Sequence, residues 1–302
     1  MKNNPDKHFM KLFDPTVKHT AVWAIDCRFS CINGDPDRNN LPRQDSSTEL
    51  GYITDVALKR RIRNYLQEKG QDFPDKEKYK ILIEENAVIN EQIERAYVNL
   101  GFDIKSIKGQ TTAAQQLEVL RWLIDNYIDL RFFGGVLSTG NLKAGQYCGP
   151  VQITFGVTLD KIFPQQITIT RGAATFKDEN KENKTMAKKS YIPYGLYLAY
   201  IFYNPCKDKY NLVTEKDLEL FWESVSNCFE INRTASKGII STRNLWVFSH
   251  NSKLGDFPEH KLIESIKFKR LCEGVPTTYS DYEVSIDNSL DLKDKVLFTQ
   301  VV

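Results

Sequence analysis

The segment Lys59-Arg60-Arg61-Ile62-Arg63 places four cations within five residues. Lys59 and Arg63 stand four residues apart, on one face if the segment is helical, where they can bracket successive phosphates. A solvated helix face is the plainer reading of such a run. Solvated faces usually mix signs, however, and Asp55 is the one acid within a turn. Arg28, on the polar face of an adjacent strand, extends the same positive track. Arg43, in Leu41-Pro42-Arg43, stands in a long loop with Asp45 as its obvious partner.

Two further groups are basic. Arg171 and the run Lys184-Thr185-Met186-Ala187-Lys188-Lys189 fall in a charged stretch that projects from the body. Met186 is an apolar side chain amid charges, suited to wedge against a base or to dock on a neighbouring subunit. Arg233, Lys237 and Arg243 surround Thr234-Ala235-Ser236 and Gly238, small residues that let a sugar-phosphate backbone approach; an ordinary helix-to-strand turn is the simpler alternative. Asp35, Asp37 and Asp45 are the carboxylates that could hold Mg2+ for phosphodiester hydrolysis, but Asn33-Gly34-Asp35-Pro36-Asp37 is also turn chemistry, and the turn is preferred. The four histidines and six cysteines show no metal-ligand spacing. No nucleophile elbow, phosphate loop or dinucleotide fingerprint is present. No cofactor or metal is expected.

These residues need a scaffold. The chain has 302 residues, 41% of them hydrophobic and 12% aromatic, ample for a core, and its net charge of +2 makes the distribution of charge matter more than its sum. No apolar run reaches membrane-spanning length and the N-terminus lacks a secretory signal, so a cytoplasmic protein with no membrane contact is expected. Thr20–Cys31 alternates, predicting a strand with Trp23, Ile25, Cys27, Phe29 and Cys31 inward and Asp26, Arg28 and Ser30 outward. Helices are predicted over Asp55–Lys69, roughly 77–99, and 112–130 with Leu117, Leu120, Ile124 and Ile128 in register. Gly149–Leu159 alternates as one strand, and Tyr191–Tyr203 is apolar on both faces, a central strand. Thr214 and Asp217 form a capping box opening a helix with Leu218, Phe221, Trp222, Val225 and Phe229 on one stripe. A last strand follows at Ile239–Ser249. The order strand, helix, strand, strand, helix, strand is the α+β ferredoxin-like plan that RNA-recognition modules share.

Several blocks together resemble one family. Asn33-Gly-Asp-Pro-Asp, Leu41-Pro-Arg and Gly51-Tyr-Ile-Thr-Asp-Val-Ala-Leu-Lys-Arg-Arg-Ile-Arg resemble the opening signature of the type I CRISPR–Cas backbone subunit. Arg131-Phe-Phe-Gly-Gly-Val-Leu-Ser-Thr, Gly149-Pro-Val-Gln-Ile-Thr-Phe, Ile192-Pro-Tyr-Gly-Leu-Tyr and Tyr279-Ser-Asp-Tyr-Glu-Val follow in order, the last two most similar to the I-C subtype. The resemblance implies a ferredoxin-like, RRM-like palm (16–69 and 147–302), a helical fingers insertion (70–146) and a thumb hairpin (160–190) within the palm. It implies a non-catalytic RNA-binding protein whose copies stack head to tail along one CRISPR RNA, beside other subunits of a type I-C antiviral surveillance complex, and present the spacer to target DNA. It places Lys59 and Arg63 on the RNA-facing first helix, Arg28 on the first strand and Met186 on the thumb, with Arg233, Lys237 and Arg243 carried over less directly. Ala187-Lys188 departs from the Gly-Arg expected beside the thumb methionine. The competing readings are a metal-dependent ribonuclease using the loop aspartates and a guide-processing endoribonuclease, for which His19 or His250 would be the bases.

Overall fold

A computed structural model of the chain describes residues 10–107, 111–171, 185–287, 289, 290, 292 and 295–302, except the side chains of Ser106, Arg171, Thr185 and Met186. Strand β1 (His19–Ser30) is the centre of the main sheet. It is followed by β2 (Leu50–Ile53) and helix α1 (Asp55–Gly70). Next come α2 (Ile89–Asn99), α3 (Ala113–Asn126) and α4 (Ile128–Phe133). The chain then returns through β3 (Val151–Ile153), β4 (Gly156–Lys161), β5 (Gln165–Arg171) and the long β6 (Thr185–Tyr203). Helix α5 (Glu215–Asn227) leads into β7 (Ile239–His250), and the chain ends with α6 (Glu259–Glu264), β8 (Ile266–Arg270), β9 (Tyr282–Ile286) and β10 (Val296–Gln300). The main sheet runs β10-β7-β1-β6-β4-β2, with antiparallel pairing throughout. β3 and β5 add to β6 at different points along its length.

The first strand is buried on both faces, not one. Trp23, Ile25 and Cys27 face α1 and α5 in the largest core, while Val22 and Ala24 face a second apolar cluster with Trp246, Leu262, Ile266 and Tyr282. That second cluster exists because α6, β8 and β9 cover the sheet's other face while β10 extends the sheet beside β7; the strand predicted as last is therefore followed by three more. Phe29 departs from the alternation: it lies outside the ladder, is 61% exposed and has φ of 44°. Cys31 is buried just beyond the strand.

α1 forms where predicted. Thr54 caps it by accepting from the Ala57 amide, and Leu58, Ile62 and Leu66 fill its buried stripe. α5 opens on the predicted Thr214–Asp217 capping box. The segment 77–99 is α-helical only from Ile89: a 3-10 turn ends at Tyr79, and beyond it Lys80 bridges to Tyr127 and the Leu82 and Ile83 amides donate to Asp129, holding residues 80–83 out of a helix. The segment 112–130 breaks at Tyr127 into α3 and α4, and its buried stripe is Val119, Leu120, Leu123 and Ile124, with Leu117 exposed. Gly149–Leu159 is two strands: Val151 and Ile153 face inward, then the phase switches and Phe155 and Val157 are exposed. Helices α2 and α3 share a third core with Leu82, Tyr127, Leu137 and Tyr147.

Candidate nucleic-acid interface

The ends of that third core are fastened to the main one by two buried ion pairs. Arg63 of α1 donates through Nε to Asp129 of α4 at 2.8 Å, and Asp129 also accepts from the amides of Leu82 and Ile83 at 2.7 and 3.2 Å. Arg131 donates to Asp217 of α5 at 2.7 Å and to three backbone carbonyls, those of Ile124, Lys78 and Asp125. Buried charges persist only when paired and hydrogen-bonded in this way. Beside them Gly134 and Gly149 pass so close that a Cβ on Gly134 would lie 2.2 Å from the Tyr147 carbonyl oxygen, and Gly134 has φ of 74°. The block Arg131-Phe-Phe-Gly-Gly is thus a structural joint.

This arrangement corrects the expected face of α1. Arg63 is buried with Asp129, its guanidinium 5.1 Å from the Phe133 ring centroid, so it does not offer a free charge to solvent. Lys59 pairs with Asp55 at 2.9 Å and lies over the same ring. The half of the motif that lines a cleft is the other half. Arg60, Arg61 and Ala57 form one wall of a cleft of about 550 Å³, with Cys31–Gly34 and Asn39–Asn40 on a second side. The third side is Lys188, Lys189 and Ser190 at the root of the β5–β6 hairpin, together with Ser236 and Lys237.

The loops that shape the cleft are tied to the sheet. Asn33 Oδ1 accepts from both the amide and the hydroxyl of Thr54, fixing the turn against the start of α1. The Cys31 amide donates to the Ser236 carbonyl, and Lys189 Nζ donates to the Ala235 carbonyl at 2.7 Å. Arg61 and Lys237 have no carboxylate partner among the described residues, and burial holds each below its ordinary pKa. The Arg61 charge lowers Lys237 further, whereas at Arg61 the opposing influence of Cys228 exceeds the lowering by Arg60. Arg60, on the same wall, pairs with Glu85 at 3.3 Å, so the cations that an anion would relieve are Arg61, Lys188 and Lys237. Lys188 is exposed on the hairpin.

The other expected residues are spread out. Arg28 is exposed at the end of β1 and makes no ion pair among the described residues. Arg43 pairs with Asp35 at 3.5 Å, not with Asp45, whose carboxylate accepts from Ser47 and Thr48 and is held down to about 2 by those bonds. Asp35 also accepts from the Asp37 amide, so the aspartates build the turn. Arg243 pairs with the buried Asp26 at 2.8 Å and lies over the Tyr279 ring, on the sheet face away from α1. Arg233 pairs with Glu230 three residues earlier. The side chains of Arg171 and Met186 lie outside the described residues; their backbones pair with Thr185 and Thr170 across the hairpin. His19 is fully buried, donating through Nε2 to the Asp14 carbonyl and accepting from Ser249 at Nδ1, and burial holds its pKa near 4. His250 is buried as well. Neither imidazole reaches the cleft.

The profile of the family described as CRISPR-associated protein Cas7 matches residues 17–287. The chain belongs to this family. A CRISPR-associated protein Cas7 from Haloferax volcanii is 33% identical over 121 residues, a stretch covering 39% of this chain and 31% of that protein. The chain thus aligns with about a third of that relative's length. Two solved chains, from a CRISPR RNA-guided surveillance complex, pre-nicking, and from a CRISPR RNA-guided surveillance complex, are each 12% identical. Both matches cover 76% of this chain, with 78% and 68% of those chains and TM-scores of 0.48 and 0.40. Within the Cas7 match, Arg60 and Arg61 line the cleft, where spacing alone pointed to Lys59 and Arg63. Their adjacency to Lys59 and Arg63 was visible; the buried partner that turns Arg63 inward, 66 residues away in sequence, was not.

Proposed function

We propose that this protein is a non-catalytic CRISPR RNA-binding backbone subunit of a type I-C surveillance complex. It would assemble head to tail along the guide, with the complex's other subunits, and present the spacer to target DNA. The observation that carries the reading is the cleft between α1, the β5–β6 hairpin root and residues 236–237, where Arg61, Lys188 and Lys237 face one space without acids. Phosphates of a single strand are its natural occupant, and Arg28 extends the positive rim. Base identity would go unread, because guide-directed recognition leaves sequence to base pairing. Lys59, Arg63 and Arg43 then position the cleft instead of touching phosphate, and Arg171, Met186, Lys189, Arg233 and Arg243 stand as flanking candidates.

The division into an RRM-like palm, fingers at 70–146 and thumb at 160–190 belongs to the same proposal. It is supported by the sheet order β7-β1-β6-β4 and by the separate core of α2 and α3. Head-to-tail contacts are heterologous and generate a helical filament, whose length the RNA would set. A cytoplasmic location accompanies this role.

The test is binding of a short fluorescein-labelled single-stranded RNA, followed by anisotropy across a salt series. Arg61→Ala/Lys237→Ala is expected to lower the slope of log affinity against log salt by about one unit or somewhat more, for two lost phosphate contacts at roughly 0.7 each. An unchanged slope would refute the cleft. Incubation with RNA and Mg2+ separates the ribonuclease alternative: cleavage lost in Asp35→Ala or Asp37→Ala would replace the proposal.

A further inference from the structure

The end of β1 carries a feature that phosphate binding does not use. Between Arg28, which pairs with Tyr194, and Ser30, which pairs with Ile192, Phe29 drops out of register and exposes its ring to solvent. Its φ of 44° is left-handed, a conformation in which a bulky aromatic is a rare outlier and which asparagine or glycine adopts at less cost. An exposed ring held by a strained backbone is costly twice over, and such costs cluster where a residue is aimed at a ligand. The ring is also not alone. Tyr191, half-buried at the root of the β5–β6 hairpin, lies 5.9 Å away between centroids at an interplanar angle of 34°, and its hydroxyl donates to Gln165.

We infer that Phe29, backed by Tyr191, is a stacking platform for one nucleobase of the single strand whose phosphates occupy the adjacent cleft. This rests on the RNA-binding reading above and adds to it a base-contacting residue. Three observations favour a nucleic acid over a protein partner. The flanking residue Arg28 is an exposed cation. Two residues onward Cys31 lines the basic cleft, as do Lys188 and Lys189, three and two residues before Tyr191. The nearest buried acid, Asp26, is already engaged by Arg243. An aromatic face beside a cationic track is the way sequence-tolerant single-strand binders hold bases, since every base offers a π face.

Phe29→Gly removes the ring while supplying the residue most at ease at that φ, so folding is retained. With a short single-stranded RNA carrying 2-aminopurine at successive positions, the full-length protein is expected to quench fluorescence at one position, and Phe29→Gly to abolish that quenching. Affinity should fall roughly five- to 150-fold, the range for loss of one stacked base, with the salt slope unchanged. Tyr191→Leu should give a smaller loss of the same kind. Wild-type affinity and quenching in Phe29→Gly would overturn the platform while leaving the cleft intact. A Phe29→Gly defect confined to self-association in sedimentation would assign the ring to a neighbouring protein copy and also overturn it. Failure of the wild type to bind any single strand would remove the RNA-binding reading and this inference together.

Discussion

Arg63 and Arg61 lie two residues apart on one helix, yet their loss should be read by different instruments. Asp129 is fully buried and receives Arg63 at 2.8 Å together with two backbone amides. Removing one partner of a buried pair typically costs about 3–5 kcal/mol, because the remaining charge is stranded. The two amides keep part of the carboxylate's solvation, so the lower end, ~3 kcal/mol, is expected for Arg63→Ala. At roughly 2–4 °C per kcal/mol for a chain of this order of size, Tm should fall on the order of 10 °C. Arg61→Ala should leave Tm within about 1 °C, since it lacks an ionic partner among the described residues, and should reduce the salt slope of RNA binding by roughly 0.7. Differential scanning fluorimetry and anisotropy on the same preparations provide the comparison. The double replacement Arg63→Leu/Asp129→Leu should recover much of the loss, as hydrophobic substitutes for buried pairs often do. If Arg63→Ala keeps its Tm and instead loses salt slope, the buried-pair reasoning is wrong and Arg63 is a phosphate ligand.

Three further outcomes follow from the same geometry. Lys59→Ala breaks a partly exposed pair with Asp55 and should cost under about 1 kcal/mol, a small Tm change in scanning fluorimetry. Gly134→Ala forces a methyl within 2.2 Å of the Tyr147 carbonyl oxygen in a left-handed backbone, and should cost at least about 2 kcal/mol or abolish soluble expression. His19 is held near pKa 4 by burial against an ordinary 6.5, so the unfolded chain binds its proton first on acidification. Stability should therefore be intact above pH 6.5 and fall as pH drops toward 4, by roughly 3 kcal/mol from this group, with His250, also lowered by burial, adding in the same direction. A flat Tm across that window would contradict the neutral, enclosed imidazole.

What could be foreseen from the sequence depended on the range of the interaction. Thr54 and Thr214 announce helix starts because a cap is decided within three residues, and both caps stand. The joint between cores could not be foreseen, because Arg63–Asp129 and Arg131–Asp217 span 66 and 86 residues, and no local pattern says which cation turns inward. Alternation misled at β1, where Val22 and Ala24 meet a C-terminal layer that local periodicity does not reveal, and at Phe29, which drops out of the ladder between Arg28 and Ser30.

On the proposed function, the partition of cations would let a chain of net charge +2 bind a polyanion, and it makes that binding measurable. Of the ten cations singled out by sequence, Arg63 and Arg243 are matched to carboxylates at 2.8 Å and Lys59 to one at 2.9 Å. Arg43 and Arg233 have carboxylate partners as well, and Lys189 is spent on a carbonyl. A cation already neutralised in the folded protein releases few counterions from RNA, because gaining a phosphate means losing its carboxylate. Of the ten, Arg28, Lys188 and Lys237 have no such partner among the described residues, and the Arg171 side chain lies outside them; Arg61, not one of the ten, makes a fourth free cation. With single strands giving about 0.7 in slope per neutralised phosphate, four contacts predict a slope near −3 per subunit, whereas all ten sequence-selected cations would give about −7. Titration of a short RNA at several salt concentrations decides between them. A slope near −7 would mean that the ion pairs open on binding, and that the folded pairs are a resting arrangement rather than part of the scaffold.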